Sequence, residues 1–195
     1  QPDLVMENVH MHSEMIAELI DGNTPHSVLS LLIKAVHTLN KAGVDCIVIP
    51  CNTVHVFIEH LRDHSKVPIM SITEECAKEC HRKGISNVGV LATTTSIQNG
   101  IHKKELEKMG IQVVTPTKKH QTNIDRTIFN IIHNKTSEED KENLKNSVAN
   151  VEKQGAQAAI LGCTDLFLAI GKDDTNIPLV NTTEVLENAT ARIAM

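Results

Sequence analysis

The chain of 195 residues has neither Trp nor Tyr and only three Phe. Single-stranded nucleic acid is held by stacking its bases on exposed aromatic rings, so a platform of that kind is excluded. A basic surplus is missing too. Nineteen Lys and Arg against 24 Asp and Glu give a formal charge of −5, which offers no footprint for DNA or RNA. No apolar run reaches the length of a membrane span, and nothing resembles the charged start and apolar core of a signal peptide. The five Cys show neither disulfide-scaffold spacing nor a CxxC pair. The expectation is reduced thiols in a cytoplasmic protein, with no metal.

What is present is a core-sized share of hydrophobic residues, 41%, arranged as short apolar runs alternating with helix-period segments. Strands are expected at 4–9, 46–49, 69–71, 88–92, 112–115, 158–161 and 179–181. In "HSVLSLLIKAVHTLNKAG" Leu29, Leu32, Ile33, Val36 and Leu39 recur at three- and four-residue steps, and Ala42-Gly43 gives the stop. "KQGA" at 153–156 ends a second helix in the same way. The charged stretch 134–147 reads as a solvated helix, begun by Thr136-Ser137 with acids in its first turn. Such alternation predicts an α/β fold of parallel strands joined by helical crossovers.

Two strand-to-helix passages carry a thiol. "IVIPCNTVH" places Cys51 after Pro50, and "AILGCTDLF" places Cys163 after Gly162. Asn52 and Thr53 are good helix caps, and a thiol at a helix start sits in a positive end-field that favours thiolate and lowers its pKa. Read alone, Cys51 supports burial as a small hydrophobe as well as it supports chemistry. The echo at Cys163 favours chemistry for both. A third passage, "VGVLATTTS", is rich in hydroxyls, and in open α/β sheets ligands bind at such carboxyl ends of strands. Compartment disfavours a disulfide, and the missing CxxC disfavours zinc. An opposed acid and base at one carbon remains. Asn52, Thr53, Thr93, Thr94, Thr95, Ser96 and Thr164 supply dipoles for the charge that develops on a substrate carboxylate.

Other candidates carry less. His55, one turn after Cys51, orients a thiol or serves structure, and Asp165 is an acceptor behind Cys163 or a cap. Cys76 and Cys80, with His81 beside them, read as one buried helix face rather than a metal site, and Cys46 as strand core.

"PCNTVH" and "GCTD" resemble the paired signatures PCNTAH and GCTE of the aspartate/glutamate racemase family, within the Asp/Glu/hydantoin racemase superfamily. "VGVLATTTSIQNG" resembles its middle segment, and "TPT" at 115–117 and "IPLVNTTEVL" at 177–186 its later landmarks. The likeness runs along essentially the whole chain. It implies two pseudo-symmetric α/β lobes with the active site in the cleft between them, the first of residues 1–84 completed by 182–195 and the second of 85–181. It implies an amino-acid racemase without pyridoxal phosphate or other cofactor, usually dimeric, in which Cys51 and Cys163 are the acid–base pair. Aspartate and glutamate are the first expected substrates.

Two features depart from the pattern. The family opens with a strand and a Gly-rich loop, and neither precedes Leu4, so that segment is expected to be missing from the sequence. Aspartate-preferring members also grip the distal carboxylate with basic side chains, yet residues 1–33 hold no Lys or Arg. His10 and His12 in "VHMHSEM", and His133 or Lys135 in "IIHNK", are the stand-ins. Neutral imidazole is a weaker anion clamp than an Arg fork. The alternatives are another isomerase of the superfamily (hydantoin racemase or a maleate-type cis–trans isomerase) and a ligand-binding relative without catalysis.

Overall fold

The structure, a computed structural model, describes residues 3–193. Two parallel sheets form. Strand β1 (Ile47–Val48) pairs with β2 (Ile69–Met70), in register Ile47 to Ile69. The larger sheet has the order β4 (Gln112–Val114), β3 (Asn87–Leu91), β5 (Ala158–Leu161), β6 (Leu179–Asn181), all parallel. The central strands β3 and β5 are buried almost throughout, as expected of a parallel sheet covered on both faces.

Helices α1 (Ser13–Ile20) and α2 (His26–Ala42) precede β1, and α3 (Ile58–His64) and α4 (Ile72–Arg82) flank β2. Helices α5 (Thr94–Gln98), α6 (Ile101–Lys108), α7 (Lys118–Ile132) and α8 (Glu138–Lys153) lie between β3 and β5, and α9 (Thr182–Ile193) follows β6. The apolar stripe of α2 buries Val28, Leu32 and Val36 against Ile47, Val54 and Leu61. Gly43 ends α2 at φ +74°, a left-handed position that costs a glycine nothing. Ser137 opens α8 with a reciprocal cap: its hydroxyl accepts from Asp140 N at 3.2 Å, and the Asp140 carboxylate accepts from Ser137 N at 2.9 Å. Arg62 forks onto Glu74 at 2.8 and 3.0 Å and donates to the Ile69 carbonyl, tying α3 to α4.

Two expectations need correction. Residues 4–9 form no strand; Leu4 and Met6 stand 84% and 81% exposed, with no neighbour to pair against. Cys46 lies just ahead of β1 and is half-buried rather than strand core. Helix α4 packs against the larger sheet. Cys76, Ala77 and Cys80 of α4 sit in the core of the larger sheet with Val88, Val90 and Ile160. Helix α9 packs on α4, and Thr190 also donates to Met70 Sδ at 3.7 Å. Residues 194–195 of the expected completing segment lie outside the described residues. Cys76 and Cys80 are fully buried, as the amphipathic reading required, and no group that could hold a metal ion occurs among the described residues.

Candidate active site

The carboxyl ends of β1, β3, β5 and β6 deliver four loops to one place. Pro50 leads into a tight turn, in which Cys51 N donates to the Ile49 carbonyl at 2.9 Å, and a 3-10 turn, Thr53–Phe57, follows. On the larger sheet Gly162 N donates to Leu91 O at 2.7 Å, and Cys163 begins a bend closed by Leu166 N to Cys163 O at 3.2 Å. The side chains knit these loops together across long sequence separations. Asn52 Nδ2 donates to Thr182 Oγ1 at 3.0 Å, and Thr182 Oγ1 donates to Leu161 O at 2.8 Å. The Thr53 and Thr93 hydroxyls share a hydrogen bond of 3.1 Å, and Thr93 Oγ1 accepts from Ser96 N at 3.2 Å. Thr183 Oγ1 donates to Thr164 O at 3.3 Å.

The two thiols share one electrostatic environment. Burial is the first cause that raises the Cys51 pKa. The N–H groups of Val54 and Thr53 act against it, and the Asp165 charge adds to it. Cys163 is pushed up to about 12 by burial, opposed by Asp165 N–H and reinforced by the charges of Asp165 and Cys51. Both residues keep some accessible surface, but the sulfurs are packed closely enough for desolvation to dominate. This reverses the expected lowering. The helical turn after Cys51 is a short 3-10 segment, and Cys163 is followed only by the 3-10 turn Leu166–Leu168, so two N–H groups act on Cys51 and one on Cys163 where a helix end was expected.

Several assigned roles shift. Asn52 and Thr53 make no side-chain cap; their side chains bind Thr182 and Thr93 instead. The Thr94 hydroxyl donates to Asp125 at 2.6 Å and its N–H to the same carboxylate at 2.9 Å, so Thr94 is tied to α7. Asn52 Oδ1 and Thr95 Oγ1 are buried with no partner among the described residues. His55 Nε2 accepts from Ile72 N at 3.2 Å, which leaves Nδ1 to donate to Cys51 O at 2.8 Å. Burial lowers its pKa to about 4, so it is a neutral strut that fixes the Cys51 turn and not a proton carrier. Asp165 is half-buried and caps nothing.

The expected distal-carboxylate contacts do not join this network. His10 and His12 are exposed and meet edge to face at 5.1 Å. His133 stacks on Phe129 at 4.1 Å and bonds the Phe129 carbonyl, and Lys135 is exposed. Sequence reasoning missed Thr182, Thr183 and Asp125 as members of the site. It also missed His102, buried with both ring nitrogens unpartnered among the described residues. The only signal for Thr182 and Thr183 was "VNTT" at a strand end. A cavity of about 280 Å³ also reaches Cys51; its wall is mostly apolar, with Met11, Leu32, Val36, Ile47 and Ile49, and includes Glu7 and Asn8.

Nearly the whole described chain bears a family likeness. A profile of the Asp/Glu/hydantoin racemase family matches residues 2–190, and the chain belongs to that family. The broad-specificity amino-acid racemase RacX of Bacillus subtilis is 29% identical over 179 residues, 92% of this chain and 72% of that protein. Among solved structures, an aspartate racemase homologue from Pyrococcus horikoshii OT3 superposes with a TM-score of 0.73 at 28% identity, over 85% of this chain and 73% of the other. The Picrophilus torridus aspartate racemase gives 0.76 at 23% identity, over 91% and 73%, a likeness of fold.

Proposed function

We propose that the protein is an amino-acid racemase that works without pyridoxal phosphate or another cofactor, with Cys51 and Cys163 as opposed acid and base. The observation that carries this is the pairing of two thiols on converging loops, both raised first by burial and both within reach of the Asp165 charge. One sulfur, as thiolate, takes the α-proton from one face of the substrate. The other, as thiol, returns a proton to the opposite face, and the next turnover in reverse exchanges the roles. The carbanion's charge spreads into the α-carboxylate. Near it stand the half-buried Thr164, whose hydroxyl makes no bond among the described residues, and the N–H groups at the two turns.

Burial, which raises both thiols, favours their protonated forms at neutral pH. The substrate's α-ammonium group lowers the cost of thiolate beside it, so binding and deprotonation are coupled. The family reading also supports a cytoplasmic homodimer. The test is incubation of the protein with single amino-acid enantiomers in D2O, followed by chiral chromatography and mass measurement. Racemisation with deuterium at the α-carbon, undiminished by a carbonyl-trapping reagent such as hydroxylamine, is the expected result. Loss of activity to hydroxylamine sinks the cofactor-free reading, and no exchange in any amino acid sinks the racemase reading.

A further inference from the structure

Thr182 stands where the two thiol-bearing loops meet. It opens α9 directly after the edge strand β6, and it is fully buried. Its hydroxyl accepts from Asn52 Nδ2 at 3.0 Å and donates to Leu161 O at 2.8 Å. Asn52 follows Cys51 on the loop after β1, and Leu161 ends β5 two residues before Cys163. One oxygen thus joins the turn that carries the first thiol to the strand end that carries the second. A hydroxyl suits the place because it donates and accepts at a single atom, which an aliphatic side chain of the same shape cannot do. Asn52 and Leu161 are buried as well, so neither group exchanges its partner for water at no cost.

The Cys51 turn has a second tie to the larger sheet, the 3.1 Å bond between the Thr53 and Thr93 hydroxyls. That bond leads to the loop after β3, whereas the path through Thr182 runs from one thiol loop to the other. The charge of Cys51 reaches Cys163, so the two sulfurs lie within electrostatic range of each other. Opposed proton carriers must keep the α-carbon between them. If one recedes by about 1 Å, transfer to its face slows on the order of 100-fold.

We propose that Thr182 is a positioning residue that sets the separation of the two thiols, so that a proton leaving one face of the α-carbon is replaced from the other. It acts through Asn52 and Leu161 and touches no reacting atom. This rests on the racemase reading. In the coupled reaction one thiolate takes the α-proton and becomes a thiol, while the opposite thiol gives its proton to the carbanion and becomes the thiolate. With the sulfurs wrongly spaced the first transfer survives and the second fails. In D2O the newly formed thiol then trades its proton for a deuteron and returns it to the face that lost the proton. The signature is exchange with retention of configuration.

The test supplies single enantiomers of aspartate, glutamate, alanine and lysine in D2O to wild type, Thr182→Val, Thr182→Ser and Thr182→Ala. Early deuterium is measured separately in the recovered substrate and in its mirror image, by chiral chromatography with mass detection. Wild type is expected to place deuterium mainly in the inverted product. Thr182→Val keeps the shape and removes the hydroxyl. It should invert about tenfold or more slowly, with a larger share of deuterium in the recovered enantiomer. Thr182→Ser should restore the wild-type partition, and Thr182→Ala, which adds no bulk, should repeat the Val result if Thr182→Val does not fold. Inversion and retained exchange slowed by one factor in the Val or Ala variant would mean that Thr182 serves the fold alone and would overturn the proposal. Unchanged inversion in either, or a Ser variant that partitions like them, would do the same. Each of these leaves the racemase reading intact, whereas no exchange into any of the four amino acids by wild type overturns both.

Discussion

Replacing Gly162 with Ala probes the join between fold and chemistry. A Cβ at that position would stand 2.9 Å from Ala92 Cβ, 3.0 Å from His102 Nε2 and 3.1 Å from the Leu91 carbonyl oxygen. None of the three yields easily. Leu91 O is held by Gly162 N at 2.7 Å, Ala92 is fully buried in the sheet core, and His102 is buried in the first turn of α6. Moving the contacts to ordinary distance needs shifts of several tenths of an ångström, an overpacking that costs about 1–3 kcal/mol. Thermal melts should fall by about 2–4 °C for each kcal/mol. The displacement passes to the adjacent Cys163, and poor alignment of a reacting group should slow α-deuterium exchange on the order of tenfold. The companion variant Gly162→Ala/His102→Ala removes one of the three contacts. The penalty of Gly162→Ala should therefore shrink in the His102→Ala background, a coupling of about 1 kcal/mol in a double-mutant cycle. An unchanged melt with an unchanged exchange rate in Gly162→Ala would refute the close-packing argument. Strict additivity of the two changes would refute the part assigned to His102.

Acid should destabilise the protein partly through its buried histidines. Burial lowers His55 to about 4 and His102 to about 3, His55 adding to the latter effect. The unfolded chain takes up these protons near pH 6.5 and the folded one does not, so the stability is full above about 6.5 and is lost as pH falls toward 4 and then 3. Urea midpoints between pH 7 and 4 should drop less steeply in His102→Gln than in wild type. Alkylation of Cys163 by iodoacetamide, located by mass spectrometry, should be slow at pH 7 and still rising above pH 9, as its high pKa requires, while the fully buried Cys76 stays unlabelled. Asp125→Ala strips the Thr94 N–H and hydroxyl of their acceptor and leaves Gln121 Nε2 only the Ala92 carbonyl. It should cost about 1–3 kcal/mol in chemical denaturation.

Local regularity was legible in the sequence, and long-range partner choice was not. Strand β5 lies where the apolar run 158–161 placed it, because a strand buried on both faces must be apolar throughout, and the edge strand β6 falls at 179–181 as expected. Gly43 and Ser137 terminate and start helices as their chemistry dictates. Residues 4–9 misled because apolar composition alone cannot supply a neighbouring strand. The hydroxyl cluster at 93–96 was visible, but which hydroxyls face inward depends on Asp125, thirty-one positions from Thr94, and on Thr182, 130 from Asn52. The thiols were found by their setting, yet their titration ran opposite to expectation. A turn motif shows the N–H groups near a sulfur, and only the packed structure shows how much water the sulfur has lost.

The most direct test of the central claim follows exchange and racemisation together in Cys51→Ala and Cys163→Ala, each supplied with one enantiomer at a time in D2O. Opposed thiols predict that neither variant racemises. They further predict that any residual α-deuterium exchange is confined to one enantiomer in Cys51→Ala and to its mirror image in Cys163→Ala, because each surviving sulfur reaches one face. Racemisation at the wild-type rate in either variant, or exchange of the same enantiomer in both, would contradict the account.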